Sequence, residues 1–212
     1  MRSCQSLTNK DMYVPKNFQK TDKDSILEFI RQNSFGILVT NTSGKMLATH
    51  IPLELSEDGQ KLHGHISRAN PQGKDFTHGE EVMAIFNGPH AYISSSWYNH
   101  ENVPTWNYMA AHVYGTIAII EAEKLLASLS QLVDKYESAS EKPVSVEKMS
   151  REYLERQVRG IIGFEIHISR MEAAYKLSQN RDKVNHEAII HQLEKRNQDH
   201  DLKIADAMRR NF

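Results

Sequence analysis

The shortages in this sequence narrow its function before any motif does. It has one cysteine in 212 residues, so no intramolecular disulfide can form, and a reducing cytoplasm is the expected location. That cysteine, Cys4, lies in a polar N-terminal stretch with no fixed base to activate it, which argues against a thiol nucleophile. Neither sign of charge is in excess: Lys plus Arg is 26, Asp plus Glu is 27, and the net charge is -1. This excludes a polycationic surface that grips phosphate backbones everywhere, although not a local basic patch. No run approaches the roughly 20 apolar residues of a membrane helix, and residues 1–11 lack the apolar region of a secretory signal. Gly-x-Ser-x-Gly, His-Glu-x-x-His, Walker and Gly-x-Gly-x-x-Gly motifs are all missing, so nothing local announces a hydrolase, a kinase or a Rossmann domain. Histidines are plentiful at eleven, but His63 and His65 are too few for a structural zinc site and have no cysteine nearby.

What is present reads as one compact domain, or one domain with a helical appendage. The composition, 39% apolar, 8% aromatic and 25% charged, is ordinary for a globular chain. Thr21-Asp22-Lys23-Asp24 precedes an apolar helical face of Ile26, Leu27, Phe29 and Ile30. Strands are expected at 35–41, 46–55 and 61–67, with Ser43-Gly44 as a hairpin turn and Pro52 interrupting the second. A fourth, 81–87, should end at Gly88-Pro89, and a long one, 106–121, carries Gly115 as a bulge or bend. Helical spacing follows over 123–136 and 145–157, then a strand over 161–169 and a polar helical stretch from Asn185. The implied class is α+β, mostly β: a small β-barrel with peripheral helices. Residues 1–11 form a tail or upstream extension before Met12, residues 12–180 the barrel domain with inserted helices at about 122–158, and residues 181–212 a C-terminal helical segment.

Two regions crowd polar and aromatic groups where plain strands would end. Gly64 to Pro71 (GHISRANP), leading to Lys74, presents a hydroxyl, a guanidinium and an amide at a strand end. Ser67, Arg68 and Asn70 suit a phosphomonoester, because Arg binds it bidentately and neutral donors complete the shell. The same residues could equally make a solvated turn. Phe86 to Tyr98 and Val103 to Gly115 hold both tryptophans, with Trp97, Tyr98, Trp106 and Tyr108 close together. Such rings can sandwich a flat heteroaromatic ligand or form a subunit interface.

With these segments the chain resembles the PaiB family, FMN-binding split-barrel proteins of the negative transcriptional regulator type. The matching pieces are MYVPKNF (12–18), HIPLEL (50–55), GHISRANP, FNGPHAYISSSWY, VPTWNYMAAHVYG and KLSQNR (176–181), in the family's order. Ser95 stands where the family commonly has Pro, and Glu172-Ala173-Ala174 where Glu-Gly-Lys is usual. The resemblance implies a homodimeric FMN-binding split β-barrel with flavin in clefts between subunits. It assigns the FMN phosphate to Ser67, Arg68, Ala69, Asn70 and Lys74, the ring end to Thr49 and His50, and a second-subunit contribution to Thr105, Trp106 and Asn107. No residue is assigned a catalytic role, and no metal is expected. As a regulator the protein would act on DNA or on a DNA-binding partner, yet the chain lacks a basic recognition helix. The alternative is a flavin-dependent oxidoreductase resembling pyridoxamine phosphate oxidases, or a haem-binding split-barrel protein.

Overall fold

The computed structural model describes residues 12–42, 44–74, 76 and 79–211. The expected tail of residues 1–11, with Cys4, lies outside them, as does Ser43 of the first hairpin turn.

Helix α1 (Lys23–Gln32) begins where the sequence signals it, with the Asp22 carboxylate accepting a hydrogen bond from Ser25 N–H at 2.9 Å. Strands β2 (Phe35–Thr42) and β3 (Lys45–Pro52) form an antiparallel hairpin, with Phe35 opposite Pro52 and Thr42 opposite Lys45. Short β1 (Gln19–Lys20) and β4 (Glu54–Leu55) accompany β5 (Lys61–Ser67), β6 (Glu81–Ile93), β7 (Thr105–Ile119) and β8 (Ile161–Lys176). The hydrogen-bonding order is β3-β2-β6-β7-β8-β5-β4, with β1 pairing on β8 opposite Ala173 and Ala174.

The chain divides into two compact units, and β6, β7 and β8 each contribute residues to both. One unit comprises Leu27–Phe86 and Val113–Met171. Its core is Leu38, Leu53, Leu62, Ile66, Phe76, Phe86, Ile117, Phe164 and Ile166. Alternation on β5 sends Leu62 and Ile66 inward and leaves His63 and His65 half-buried on the opposite face. Helix α2 (Ala122–Glu137) buries Leu125 against Gly163, where a Cβ would stand 2.6 Å from Leu125 Cδ1. Helix α3 (Arg151–Arg159) is capped by the Ser150 hydroxyl. Gly115 is required for a different reason than a bulge: an added Cβ would run into the His167 carbonyl and lie 2.8 Å from Ile166 Cγ2.

The other unit comprises Met1–Ile26, Asn87–His112 and Glu172–Phe212. Here α4 (Lys183–Arg196) is capped by Asp182, which accepts from Asn185 N–H at 3.0 Å. It ends at Asn197, in the left-handed conformation with φ 55°. Helix α5 (Asp199–Arg210) follows, and its buried Ile204, Ala205 and Met208 join Ile189, Ile190 and Leu193 of α4 in the core. The Arg196 guanidinium grips the buried Asp201 carboxylate with two N–H groups and donates to the Tyr92 carbonyl at 3.1 Å.

Three expectations are corrected. Gly88-Pro89 does not end β6, because Pro89 lies beyond the ladder with β2, whose register spans Met83 to Ile85, and needs no N–H for it. Strand β8 runs past Ser169 to Lys176, since β1 gives its second half a partner. The C-terminal stretch is two helices rather than one, broken at Asn197.

Candidate cofactor site

The turn after β5 gathers most of the residues singled out in the sequence. Asn70 N–H closes it on the Ser67 carbonyl at 2.9 Å, and Ala69 N–H donates to Ser67 Oγ at 3.3 Å. The Asn70 side chain then reaches back to β3, donating to Thr49 Oγ1 at 2.9 Å while its own carbonyl accepts Gln72 N–H at 3.0 Å. Thr49 donates in turn to Gln72 Oε1. Arg68 is exposed but not loose: Nε donates to the Arg159 carbonyl at 3.0 Å and Nη2 to the Ile161 carbonyl at 2.9 Å. Its backbone N–H also donates to the Gly160 carbonyl, at 2.9 Å. Lys74 ends the short helical turn Pro71–Lys74 and is exposed; His50, next to Thr49 on β3, is exposed as well.

Gln72 is the residue that sequence reasoning missed. It is 1% exposed, and its Nε2 lies 3.2 Å from each of three acceptors, the Leu38 and Leu47 carbonyls and Thr40 Oγ1. A buried amide so fully bonded fixes the turn to the β2–β3 hairpin. A glutamine directly after the Asn-Pro of the motif was the only signal available.

Thr105, Trp106 and Asn107 lie on β7 in the other unit. The Thr105 hydroxyl accepts a hydrogen bond from Lys176. Trp106 is 53% exposed, beside Tyr92 (ring centroids 5.8 Å apart) and His90 (6.0 Å). Asn107 is fully buried and its side chain is committed internally, accepting from Ser178 Oγ at 3.1 Å and donating to Met208 Sδ at 3.4 Å.

A cavity of about 770 Å³ lies elsewhere in the first unit, lined by α2 and by residues of β4, β5 and β8. Its charges largely answer one another, with Lys61 3.0 Å from Glu165 and Lys135 2.6 Å from Glu54. Burial favours a neutral Glu165, but hydrogen bonds from Lys61 and His167 outweigh it and hold the carboxyl below its ordinary range. Burial pushes His63, on the same wall, towards neutrality. This is a self-neutralised groove rather than a ligand cradle.

The donor set at the Ser67–Lys74 turn fits a phosphate group. A guanidinium has five N–H donors; the two carbonyl bonds use Nε and one donor of Nη2, leaving the Nη1 edge for an oxyanion. Ser67 Oγ accepts from the backbone, so its own proton is available to donate, and Asn70 keeps a second amide hydrogen. Ser67, Arg68, Asn70 and Lys74 would hold the phosphate of FMN, and Thr49 and His50 stand on the adjoining strand.

Comparison with known proteins agrees with this chemistry. Residues 12–170 match the family described as "Putative FMN-binding domain". The chain is 43% identical over 199 residues to Protease synthase and sporulation protein PAI 2 of Bacillus subtilis, covering 93% of this chain and 96% of that one. Among solved structures it is similar to the flavocytochrome Anf3 from Azotobacter vinelandii, with TM-score 0.60, 14% identity, and coverage of 84% of this chain and 80% of that one. It is also similar to the FAD and heme binding protein from Mycobacterium smegmatis, with TM-score 0.58, 14% identity, and coverage of 80% and 78%. At such identity these likenesses establish the fold alone, a split β-barrel with peripheral helices. By sequence and by fold, the chain belongs to the PaiB family of FMN-binding split-barrel proteins.

Proposed function

We propose that this protein is a cytoplasmic, homodimeric flavoprotein that holds FMN by its phosphate at the Ser67–Lys74 turn and acts as a negative regulator of transcription. The observation that carries the FMN site is the tethered guanidinium of Arg68. Two carbonyl bonds set its plane in advance, so little side-chain entropy is lost when a phosphate arrives. The Thr49–Asn70–Gln72 network positions the neighbouring donors without touching the phosphate. FMN, when bound, supplies redox chemistry at its isoalloxazine ring. Thr105 and Trp106 are second-subunit contributors to the ring end, whereas the buried Asn107 side chain confines that residue to a supporting role. The half-exposed Trp106, flanked by Tyr92 and His90, supports a face that a second copy covers.

The regulatory part rests on the B. subtilis relative, whose name refers to protease synthesis and sporulation. Charge on the C-terminal helices is mixed, with Asp199 and Asp201 at the start of α5 and Arg209 and Arg210 at its end. A protein of net charge -1 makes few phosphate contacts, so direct DNA binding would be weak and steeply salt-dependent.

The test is a fluorescence titration of the purified protein with FMN and with riboflavin. Phosphate recognition gives FMN an advantage on the order of 30-fold or more, the equivalent of one charge-assisted bidentate pair. Equal affinity for the two flavins would remove the phosphate site, and a Soret band in the purified protein would move it to the haem-binding branch. For the assembly, sedimentation showing a folded monomer at micromolar concentration would overturn the homodimer.

A further inference from the structure

The KLSQNR segment at the end of β8 is not used by the flavin site, and it places two cations near one another without giving either a carboxylate. Lys176 Nζ donates to the Thr105 hydroxyl and lies 5.9 Å from the centroid of the Phe18 ring. The Arg181 guanidinium lies 5.1 Å from the centroid of the Tyr98 ring. Among the described residues neither has an acidic ion-pair partner. Both side chains are half-buried. Burial pushes the Lys176 ammonium below its ordinary pKa, and the Arg181 charge adds to the effect, so the two cations sense one another.

Aromatic faces soften this repulsion but offer no acceptor oxygens. The backbone nevertheless holds the arrangement firmly. Ser178, between the two cations, has φ 61°, a left-handed conformation uncommon outside glycine, asparagine and aspartate. Its hydroxyl is anchored on the buried Asn107 at 3.1 Å, and Gln179 braces the turn by accepting from Leu177 N–H at 2.8 Å and donating to the Tyr175 carbonyl. Two like charges held on a braced turn, beside a hydroxyl, are the components of an oxyanion receptor.

We propose that Lys176 and Arg181, with the Thr105 hydroxyl, form a binding site for a tetrahedral oxyanion of the phosphate class, separate from the Ser67–Lys74 turn. The segment 176–181 lies beyond residues 12–170, the part matched by the FMN-binding domain family. An incoming phosphate replaces the cation–cation repulsion with charge-assisted hydrogen bonds from a planar fork on one side and an ammonium on the other.

The test uses the full-length protein and inorganic phosphate, with chloride at matched ionic strength as the reference. Acylation of Lys176 by an N-hydroxysuccinimide ester, followed by peptide mass spectrometry, reads occupancy directly. Phosphate is expected to slow that acylation and to raise the melting temperature. Arg181→Gln should weaken both effects about 10- to 100-fold in phosphate concentration, the loss of one charge-assisted contact. Arg68→Ala should leave them unchanged. Because the labelling is read on the wild type, the proposal stays testable if Arg181→Gln fails to fold. Phosphate that leaves Lys176 acylation as fast as chloride does would overturn it. Protection by FMN but not by inorganic phosphate would assign these cations to a flavin phosphate, and would equally overturn a separate site.

Discussion

Replacing Arg68 with alanine separates the two roles that the structure gives this side chain. As the proposed phosphate ligand, Arg68 contributes a charge-assisted pair of about 2–4 kcal/mol, so Arg68→Ala should weaken FMN binding about 30- to 1000-fold. As a tether, it joins the β5 turn to the Arg159 and Ile161 carbonyls. These bonds are on an exposed residue, where water replaces a lost donor, so each contributes at most about 0.5–1 kcal/mol. Together they are about 1–2 kcal/mol, which for a chain of this size lowers Tm by about 2–8 °C. A strictly surface arginine would have left apo stability unchanged. Arg68→Lys should recover part of the FMN affinity and little of the tether, because an ammonium cannot address two carbonyls and a phosphate with one planar fork. Flavin-fluorescence titration and apo melting curves for the wild type and both variants read the two roles independently. FMN affinity unchanged in Arg68→Ala would take the residue out of the site. An unchanged apo Tm beside lost affinity would refute the tether while leaving the phosphate contact intact.

Other perturbations probe the scaffold behind the site. Gln72→Ala strands the Leu38 and Leu47 carbonyls and the Thr40 and Thr49 hydroxyls, and should cost about 2–4 kcal/mol in urea unfolding, with weaker FMN binding as Asn70 loses its support. Gly115→Ala drives a methyl group into the His167 carbonyl, and should cost more than about 3 kcal/mol or abolish folding; a fully folded, undiminished variant would contradict the close strand approach. Burial pushes His63, His65, His112 and His186 below the ordinary value of 6.5, so the unfolded chain binds more protons than the fold does in this range. Stability should therefore fall as pH drops below about 6.5, and urea midpoints that stay level from pH 7.5 to 5.5 would refute this. Glu165 acts in a lower window: its carboxyl is held below its ordinary value of 4.5, so its contribution is kept above that pH and lost as the pH falls through the folded value.

Much of the architecture was determined by the sequence alone, because it depends on local pattern. Alternation placed Leu62 and Ile66 inward on β5, the Asp22 cap started α1, and helical spacing located α2. The motif order carried the family, and with it the expected phosphate turn. What the tertiary structure decided depends on partners distant in sequence. Strand β8 continues past Ser169 because β1, more than 150 positions earlier, pairs with it at Ala173 and Ala174. Gly115 is glycine because the backbone of His167 passes beside it, and a one-dimensional reading cannot separate that from a bulge. Gln72 looks like one more polar turn residue until folding buries it beneath Leu38, Thr40 and Leu47. Asn107 carries the polar side chain of a binding residue, but Ser178 and Met208 occupy it in the interior. A side chain's chemistry is written in the sequence, whereas the groups that satisfy it are chosen by packing, and a donor already satisfied inside the fold has little left for a ligand.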